Sequence, residues 1–322
     1  MAEVILHIEN LSKIFEVRDG SFFSKKQKLY ALNNVTIDLY KGETLGVIGE
    51  SGCGKSTLGK CIVRLHKPTT GSIMYQGFDL ASASRAQVKP FRKDIQMIFQ
   101  DPFSSLDPRM TALQIIEEAF IIHEIEPDKK KREKMALEIL REVGLDAQYA
   151  HRYPHEFSGG QRQRINIGRA LALKPKIIVC DEPVSALDVS IQAQVINLLK
   201  HLQKRHGLTY LFISHDLSII RHMSDRIAIM YLGQVVELCK ADEIYRNPLH
   251  PYTKALLSAI PPENPMEQKE KIHLQGDVPS PIDLKAECPF VTRCPMACEQ
   301  CRKEVPALRD VGDGHQVACC FV

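Results

Sequence analysis

Two short segments of the chain carry residues whose types and spacing suit phosphate chemistry. In TLGVIGESGCGKSTLGKCIV, four residues separate Gly49 from the triplet Gly54-Lys55-Ser56, with the apolar run Thr44–Ile48 before the loop and a helical pattern after it. That is the context a P-loop requires. Its glycines let backbone N–H groups turn inward around phosphate oxygens, and the helix N-terminus adds partial positive charge. Lys55 reaches the outer phosphates and the Ser56 hydroxyl is a Mg²⁺ ligand. Gly49, Ser51, Gly52, Gly54 and Thr57 complete the nucleotide-contacting set. A glycine turn that merely opens a helix leaves Lys-Ser at those offsets unexplained. By itself the loop says only that a nucleotide binds. The second segment, IIVCDEP, runs from four apolar residues into Asp181 and Glu182 at a strand's carboxyl end, where open α/β sheets gather ligands. Asp181 suits Mg²⁺, directly or through water, and Glu182 suits a general base that polarises an attacking water.

These residues need a scaffold of strand–turn–helix units. From residue 1 to about 240 the chain alternates short apolar runs with Gly-bounded helical patterns, the appearance of a parallel sheet with crossover helices. The expected fold class is therefore α/β. Strand-like runs stop between Gln100 and about Gln163, where LQIIEEAFIIHEI and REKMALEILREVG repeat at helical spacing, so a helical insertion is expected over about 101–163. A domain boundary is placed near 240: residues 1–240 form the nucleotide-binding domain and 241–322 a smaller extension rich in proline and cysteine. No internal repeat is visible, which argues for a single nucleotide-binding unit.

Composition excludes several classes of function. The 322 residues carry a formal net charge of +3 and 44% apolar content, enough for a full core but without the broad basic field that nucleic acid attracts. The basic run Lys129–Lys134 reads as the solvated face of a helix. No apolar run approaches the roughly 18 residues of a membrane span. The opening MAEVILHIEN lacks the layout of a signal peptide, so a cytosolic chain is expected, with any membrane role reached through partners.

Between the two phosphate-handling segments lies HEFSGGQRQRINIGRALALKP, and Phe157-Ser158-Gly159-Gly160-Gln161 resembles the signature motif of ATP-binding-cassette proteins. Ser158, Gly159 and Gly160 open a helix near Gln161, a second anion cradle in one chain. Further marks of that family follow in its order: Gln100 after MIF, Ser185-Ala186-Leu187-Asp188 after the acids, and His215 at the strand end LFISHD. The resemblance implies a P-loop core with a helical subdomain, and an ATPase in which the signature of one cassette closes over ATP held by another. It implies that Gln100 senses Mg²⁺ and the attacking water, that Asp188 communicates across the dimer, that His215 contacts the γ-phosphate, and that Phe15 in LSKIFEV stacks on adenine. It also places the insertion, with QDPFSSLDPRM at its start, against a transmembrane partner.

The tail narrows the resemblance. NPLHPYT (Asn247–Thr253) followed by KALLSAIP resembles the C-terminal extension of dipeptide and oligopeptide importer ATPases, especially the F-type subunit. Proline at a first turn, with Tyr252, Ala255, Leu256 and Ala259 on one face, accounts for a helix under any function. The resemblance implies two transmembrane permease subunits, a D-type partner cassette, an extracytoplasmic peptide-binding protein, and a peripheral place on the cytoplasmic face of the plasma (inner) membrane. Nickel and glutathione importers share these motifs and remain the alternatives for cargo; a soluble cassette ATPase outside transport, or a redox-sensing subunit, is the alternative in class. Six of ten cysteines follow residue 287, and the spacing Cys288-x5-Cys294-x6-Cys301-x17-Cys319 matches the four cysteines of this extension. Four soft thiolates suit a [4Fe–4S] cluster, with Zn²⁺ as the alternative. Cys298 and Cys320 are spare in that scheme, and Cys53 and Cys180 read as packing residues.

Overall fold

The computed structural model describes residues 3–18, 26–260, 271–272, 274 and 276–322. In chain order its first half holds β1 (Val4–Val17), β2 (Gln27–Tyr40), β3 (Thr44–Ile48), α1 (Lys55–Ile62), β4 (Thr70–Tyr75), β5 (Phe78–Asp79), α2 (Arg85–Val88), β6 (Ile95–Ile98), α3 (Ala112–Ile122) and α4 (Lys129–Glu142). The second half adds α5 (Gly159–Leu171), β7 (Ile177–Asp181), α6 (Val189–His206), β8 (Thr209–Ile213), α7 (Leu217–Met223), β9 (Arg226–Tyr231) and β10 (Gln234–Lys240). It ends with α8 (Ala241–Arg246), α9 (Pro251–Ser258), β11 (Arg309–Asp310) and β12 (Gln316–Val317). These elements form two compact units, one made of residues 40–43 and 83–213, the other of 3–39, 44–82 and 214–322.

In the first unit, β6, β7 and β8 run parallel, with Ile95 opposite Ile177 and Asp181 opposite Ile213. Every residue of β7 and β8 is buried, as expected of parallel strands covered on both faces. α3 and α4 fall where the helical periodicity predicted them. Thr111 and Asp128 cap their first turns through side-chain oxygens, each satisfying one of the N–H groups that helix starts leave open. The basic residues Lys129, Lys130, Lys131 and Lys134 lie exposed along α4. α6 buries Val195, Ile196, Leu199 and Leu202 at helical spacing and ends on Gly207, whose φ of 64° supplies the left-handed cap.

The second unit contains a sheet of order β2-β1-β4-β5, in which β1 pairs antiparallel with β4 through Leu6 opposite Tyr75. It also holds β3, parallel to β9, with β10 antiparallel to β9 and to β12, and β12 antiparallel to β11. The tail is thus more ordered than its weak periodicity suggests: β12 adds to β10 through Glu237 opposite Val317, and the Ala318 N–H reaches the Val236 carbonyl at 2.9 Å. α9 starts at Pro251 with His250 as its cap, and buries Pro251, Tyr252, Thr253 and Ala255, whereas Ala259 is exposed. The prolines of PPENP after this helix lie outside the described residues.

Glu237 is fully buried, and three donors surround its carboxylate. They are the N–H groups of Leu249 and His250 at 2.8 and 3.0 Å and His315 Nε2 at 2.7 Å. Buried carboxylates persist only when so satisfied. His250 sits beside it with Nδ1 accepting from the Tyr252 N–H at 3.1 Å, and burial pushes its pKa down to about 4. One acid in β10 thereby fastens both the start of α9 and the last strand pair.

Candidate active site

The phosphate loop belongs to the second unit. β3 delivers Gly49 into it and α1 begins at Lys55, capped by Gly54 in the left-handed region at φ 104° with no side-chain cap. Any Cβ at Gly54 would collide with the Ala31 carbonyl, and one at Gly49 with the Met230 carbonyl, so both positions require glycine on steric grounds, and Gly54 also for its left-handed backbone. Lys55 is 5% exposed and donates to the carbonyls of Gly49 at 2.8 Å and Glu50 at 3.0 Å. The loop's own oxygens hold the ammonium that phosphate oxygens would receive. Ser51 and Gly52 are exposed at the tip, and Ser56 and Thr57 are half-buried in the first turn of α1. Cys53 is buried under the loop, and burial raises its thiol pKa. His215 is exposed just beyond β8, before Asp216 caps α7 through the N–H groups of Ser218 and Ile219. Phe15 meets the edge of His66, with ring centroids 5.5 Å apart, and has the Lys13 ammonium 4.7 Å from its centre.

The first unit carries the remaining residues. Asp181 ends β7 and is 3% exposed, while Glu182 follows at φ 47°, a left-handed conformation uncommon for a residue with a Cβ. Its N–H still donates to the Ile213 carbonyl at 3.0 Å, and the Ser185 hydroxyl donates to its carbonyl at 3.1 Å. Gln100 Nε2 donates to Glu182 Oε2 at 3.0 Å, so two residues 82 apart in sequence are brought into direct contact. Backbone strain of this kind is retained where a side chain must be aimed. Sequence reading placed Glu182 by type; its backbone conformation had no signal in the sequence.

The signature segment opens α5. Ser158 is its cap, accepting from the Gln161 N–H at 3.4 Å while its own N–H donates to Gln161 Oε1 at 3.1 Å, a reciprocal capping box. A Cβ on Gly160 would strike Ile191 of α6, which explains the glycine by packing. Asp188 is exposed, and its backbone caps α6 without help from its side chain. Cys180 is fully buried in β7, as expected of a packing residue.

Within the first unit, the Asp181 carboxylate and the Gln100 amide offer hard oxygens of the kind Mg²⁺ takes; in the second unit the Ser56 hydroxyl offers another. The cysteine tail differs from expectation. Cys288, Cys301 and Cys319 are buried and Cys294, Cys298 and Cys320 half-buried, and mutual repulsion helps burial to raise the Cys288 pKa to about 12. The sulfurs of Cys298 and Cys301 lie 3.6 Å apart, and Cys320 also hydrogen-bonds Cys301 through its side chain, so both cysteines read as spare meet a member of the expected set. No group of three or more His, Cys, Asp or Glu side chains among the described residues is arranged to hold a metal ion. The expected ligand set Cys288, Cys294, Cys301 and Cys319 is therefore not supported as a metal centre, although Cys288, Cys294 and Cys319 each lie close enough to Cys301 for their thiols to interact.

Comparison with known proteins agrees with the loop and signature. Residues 32–185 match the family model "ABC transporter", and residues 236–301 match "Oligopeptide/dipeptide transporter, C-terminal region". The oligopeptide transport ATP-binding protein AppF of Bacillus subtilis (strain 168) is 51% identical over 98% of this chain and 97% of its own length. OppF of Escherichia coli (strain K12) is 49% identical over 98% and 96%. The solved dimer of the ATP-binding cassette MJ0796 in a post-hydrolysis state, bound to ADP and Pi, superposes with a TM-score of 0.65 at 32% identity, covering 73% of this chain and 98% of that one. The chain belongs to the ABC transporter family of ATPases, in the group that carries the oligopeptide/dipeptide transporter C-terminal region.

Proposed function

We propose that this chain is the ATP-hydrolysing subunit of a membrane importer for dipeptides and oligopeptides. The observation that carries this reading is the near-full-length identity to oligopeptide transport ATP-binding proteins, extending through the C-terminal region. In the mechanism it supports, Gly49–Thr57 wraps the phosphates and Lys55 exchanges its carbonyl partners for phosphate oxygens. Glu182, aimed by Gln100, takes a proton from the water that attacks the γ-phosphorus as ADP leaves. Bound Mg²⁺ supplies charge neutralisation on the phosphates, with Ser56, Asp181 and Gln100 as its protein donors. Ser158, Gly159, Gly160 and Gln161 cover the ATP of a partner cassette, Asp188 lies at that junction, His215 reads the γ-phosphate and Phe15 supports adenine. Residues 1–240 form the cassette, with its helical subdomain over about 101–163, and residues 241–322 the extension.

No helix among the described residues is long and apolar enough to cross a membrane, so anchoring falls to partners. These are two permease subunits at the cytoplasmic face of the plasma (inner) membrane, a D-type cassette, and a peptide-binding protein acting through the permeases. The exposed apolar side chains Phe103, Ile121, Ile122 and Ile125 of the helical insertion supply the permease contact. A [4Fe–4S] cluster on Cys288, Cys294, Cys301 and Cys319 requires those thiols to close on one centre. It rests on their gathering alone, and iron and acid-labile sulfide analysis of anaerobically purified protein decides it.

The test of the function is ATPase activity of the complex assembled with the membrane and cassette proteins encoded beside this chain, with and without peptide-loaded binding protein. Stimulation by peptide is expected. Stimulation only by nickel chelates or glutathione moves the cargo to the related importers, and the absence of any membrane complex refutes transport.

A further inference from the structure

The second residue of the phosphate loop, Glu50, is held at three points. Its carbonyl receives Lys55, its N–H donates to the Tyr252 hydroxyl at 3.0 Å, and its carboxylate takes a two-pronged bond from Arg293, Nη1 to Oε2 at 2.8 Å and Nη2 to Oε1 at 3.1 Å. Two of these three partners come from the C-terminal extension. The Arg293 side chain is 8% exposed and that of Glu50 26%, so water competes weakly for the pair. A planar guanidinium matched to a carboxylate in this way fixes direction as well as charge.

Arg293 is itself fixed. Its N–H donates to the Phe290 carbonyl at 3.0 Å, and Nη1 also donates to the Tyr231 hydroxyl at 3.4 Å. Tyr231, Tyr252 and Phe290 form a block of rings with centroids 4.7–5.4 Å apart, and His250 packs on Phe290 at 5.7 Å. Rings in such contact leave little rotamer freedom. The arginine therefore projects from a rigid base onto a loop whose tip is exposed.

An acid in a loop that binds a polyanion raises an electrostatic problem. An unpaired Glu50 carboxylate would repel the phosphates that the loop's N–H groups attract. We propose that Arg293 is a positioning residue of the nucleotide site, neutralising Glu50 and holding the start of the phosphate loop in its binding shape. The C-terminal extension then completes the ATP site. This rests on the reading of Gly49–Thr57 as the ATP loop. Removing Arg293 leaves one unpaired negative charge in the loop, and for unit charges about 8 Å apart at an effective dielectric of about 20 to 40 the repulsion would weaken ATP on the order of 6- to 30-fold.

The test is titration of the full chain with N-methylanthraniloyl-ATP, with far-ultraviolet circular dichroism verifying the fold of each variant. Arg293→Ala is expected to weaken binding on the order of 6- to 30-fold. Arg293→Lys, which keeps the charge but loses the fork, should fall between it and the parent. Glu50→Gln removes the acid, so the double variant Glu50→Gln/Arg293→Ala is expected to regain binding within threefold of Glu50→Gln alone, a rescue that a merely structural arginine would not allow. Binding by Arg293→Ala within twofold of the parent overturns the proposal, as does a double variant as weak as Arg293→Ala. Should Arg293→Ala fail to fold, the Lys and double variants decide the matter by the same criteria. Lys55→Ala is the separate control: if it binds like the parent, the reading of the loop as the ATP site falls, and the role of Arg293 with it.

Discussion

Glu237→Leu removes an acceptor that three donors share. Leucine is close in size and apolar, so the change creates no large cavity, but it strands the N–H groups of Leu249 and His250 and the ring N–H of His315, in a place where Glu237 is 0% exposed. Each buried donor left without a partner costs about 1–3 kcal/mol, while leucine returns roughly 1–2 kcal/mol through apolar burial. The expected net loss is about 4 kcal/mol. Glu237→Gln keeps one acceptor oxygen and turns an amide N–H₂ toward a remaining donor, so about 2 kcal/mol is expected. The chain contains no tryptophan, so urea unfolding is followed by far-ultraviolet circular dichroism, alongside hydrogen exchange at the Leu249 and His250 amides. Both amides should lose protection in the leucine variant, and its unfolding midpoint should fall. A leucine variant as stable as the parent, with those amides equally protected, would refute the view that this carboxylate fastens the tail.

His250 gives a pH dependence. Its pKa falls from the ordinary 6.5 to about 4 on folding, so the unfolded chain binds the extra proton first; this contribution is complete above about pH 6.5 and fades as pH drops toward 4. His250→Asn, which retains an acceptor for the Tyr252 N–H, is expected to remove about 3 kcal/mol of the stability lost between pH 6.5 and 4, read from unfolding curves across that range. Glu182→Gln should lower turnover of the assembled ATPase on the order of 100- to 10,000-fold while nucleotide still binds; normal turnover would take Glu182 out of the base role. Gly54→Ala must place a Cβ against the Ala31 carbonyl at a φ of 104°, so a folded variant with little affinity for labelled ATP is expected, and parent-like affinity would show that the loop tolerates the shift.

What was legible in the sequence was local. Gly49 to Ser56, Asp181 with Glu182, and Ser158 to Gln161 each lie within a few residues, and each sits where a strand gives way to a helix or a helix begins, so pattern and position agree. α3 and α4 announced themselves by periodicity. The pairing of Arg293 with Glu50 spans 243 residues, and no spacing rule reaches that far. Glu237 was hidden for another reason: in QVVELCK an acid among apolar residues reads as an outward-facing position of a strand, whereas β10 shifts register between Val235 and Glu237 and its acid is buried. For the cysteines, spacing suggested a ligand set without fixing direction. Among the described residues the structure instead brings Cys298 and Cys320, both outside the expected four, against Cys301, and no group of three is arranged to hold a metal ion.

The use of Tyr252, Arg293 and Val317 by the unit that holds the phosphate loop bears on how the chain is made. A ribosome releases Gly49–Thr57 well before the hydroxyl, the guanidinium and the strand pair that brace this unit. During most of synthesis the loop lacks its braces, and a message cut short after β10 yields every catalytic motif with an unfinished binding site. A fusion or deletion at the carboxyl end therefore acts on the motor itself, and premature termination produces a chain open to proteolysis before it can compete for a place in the transporter.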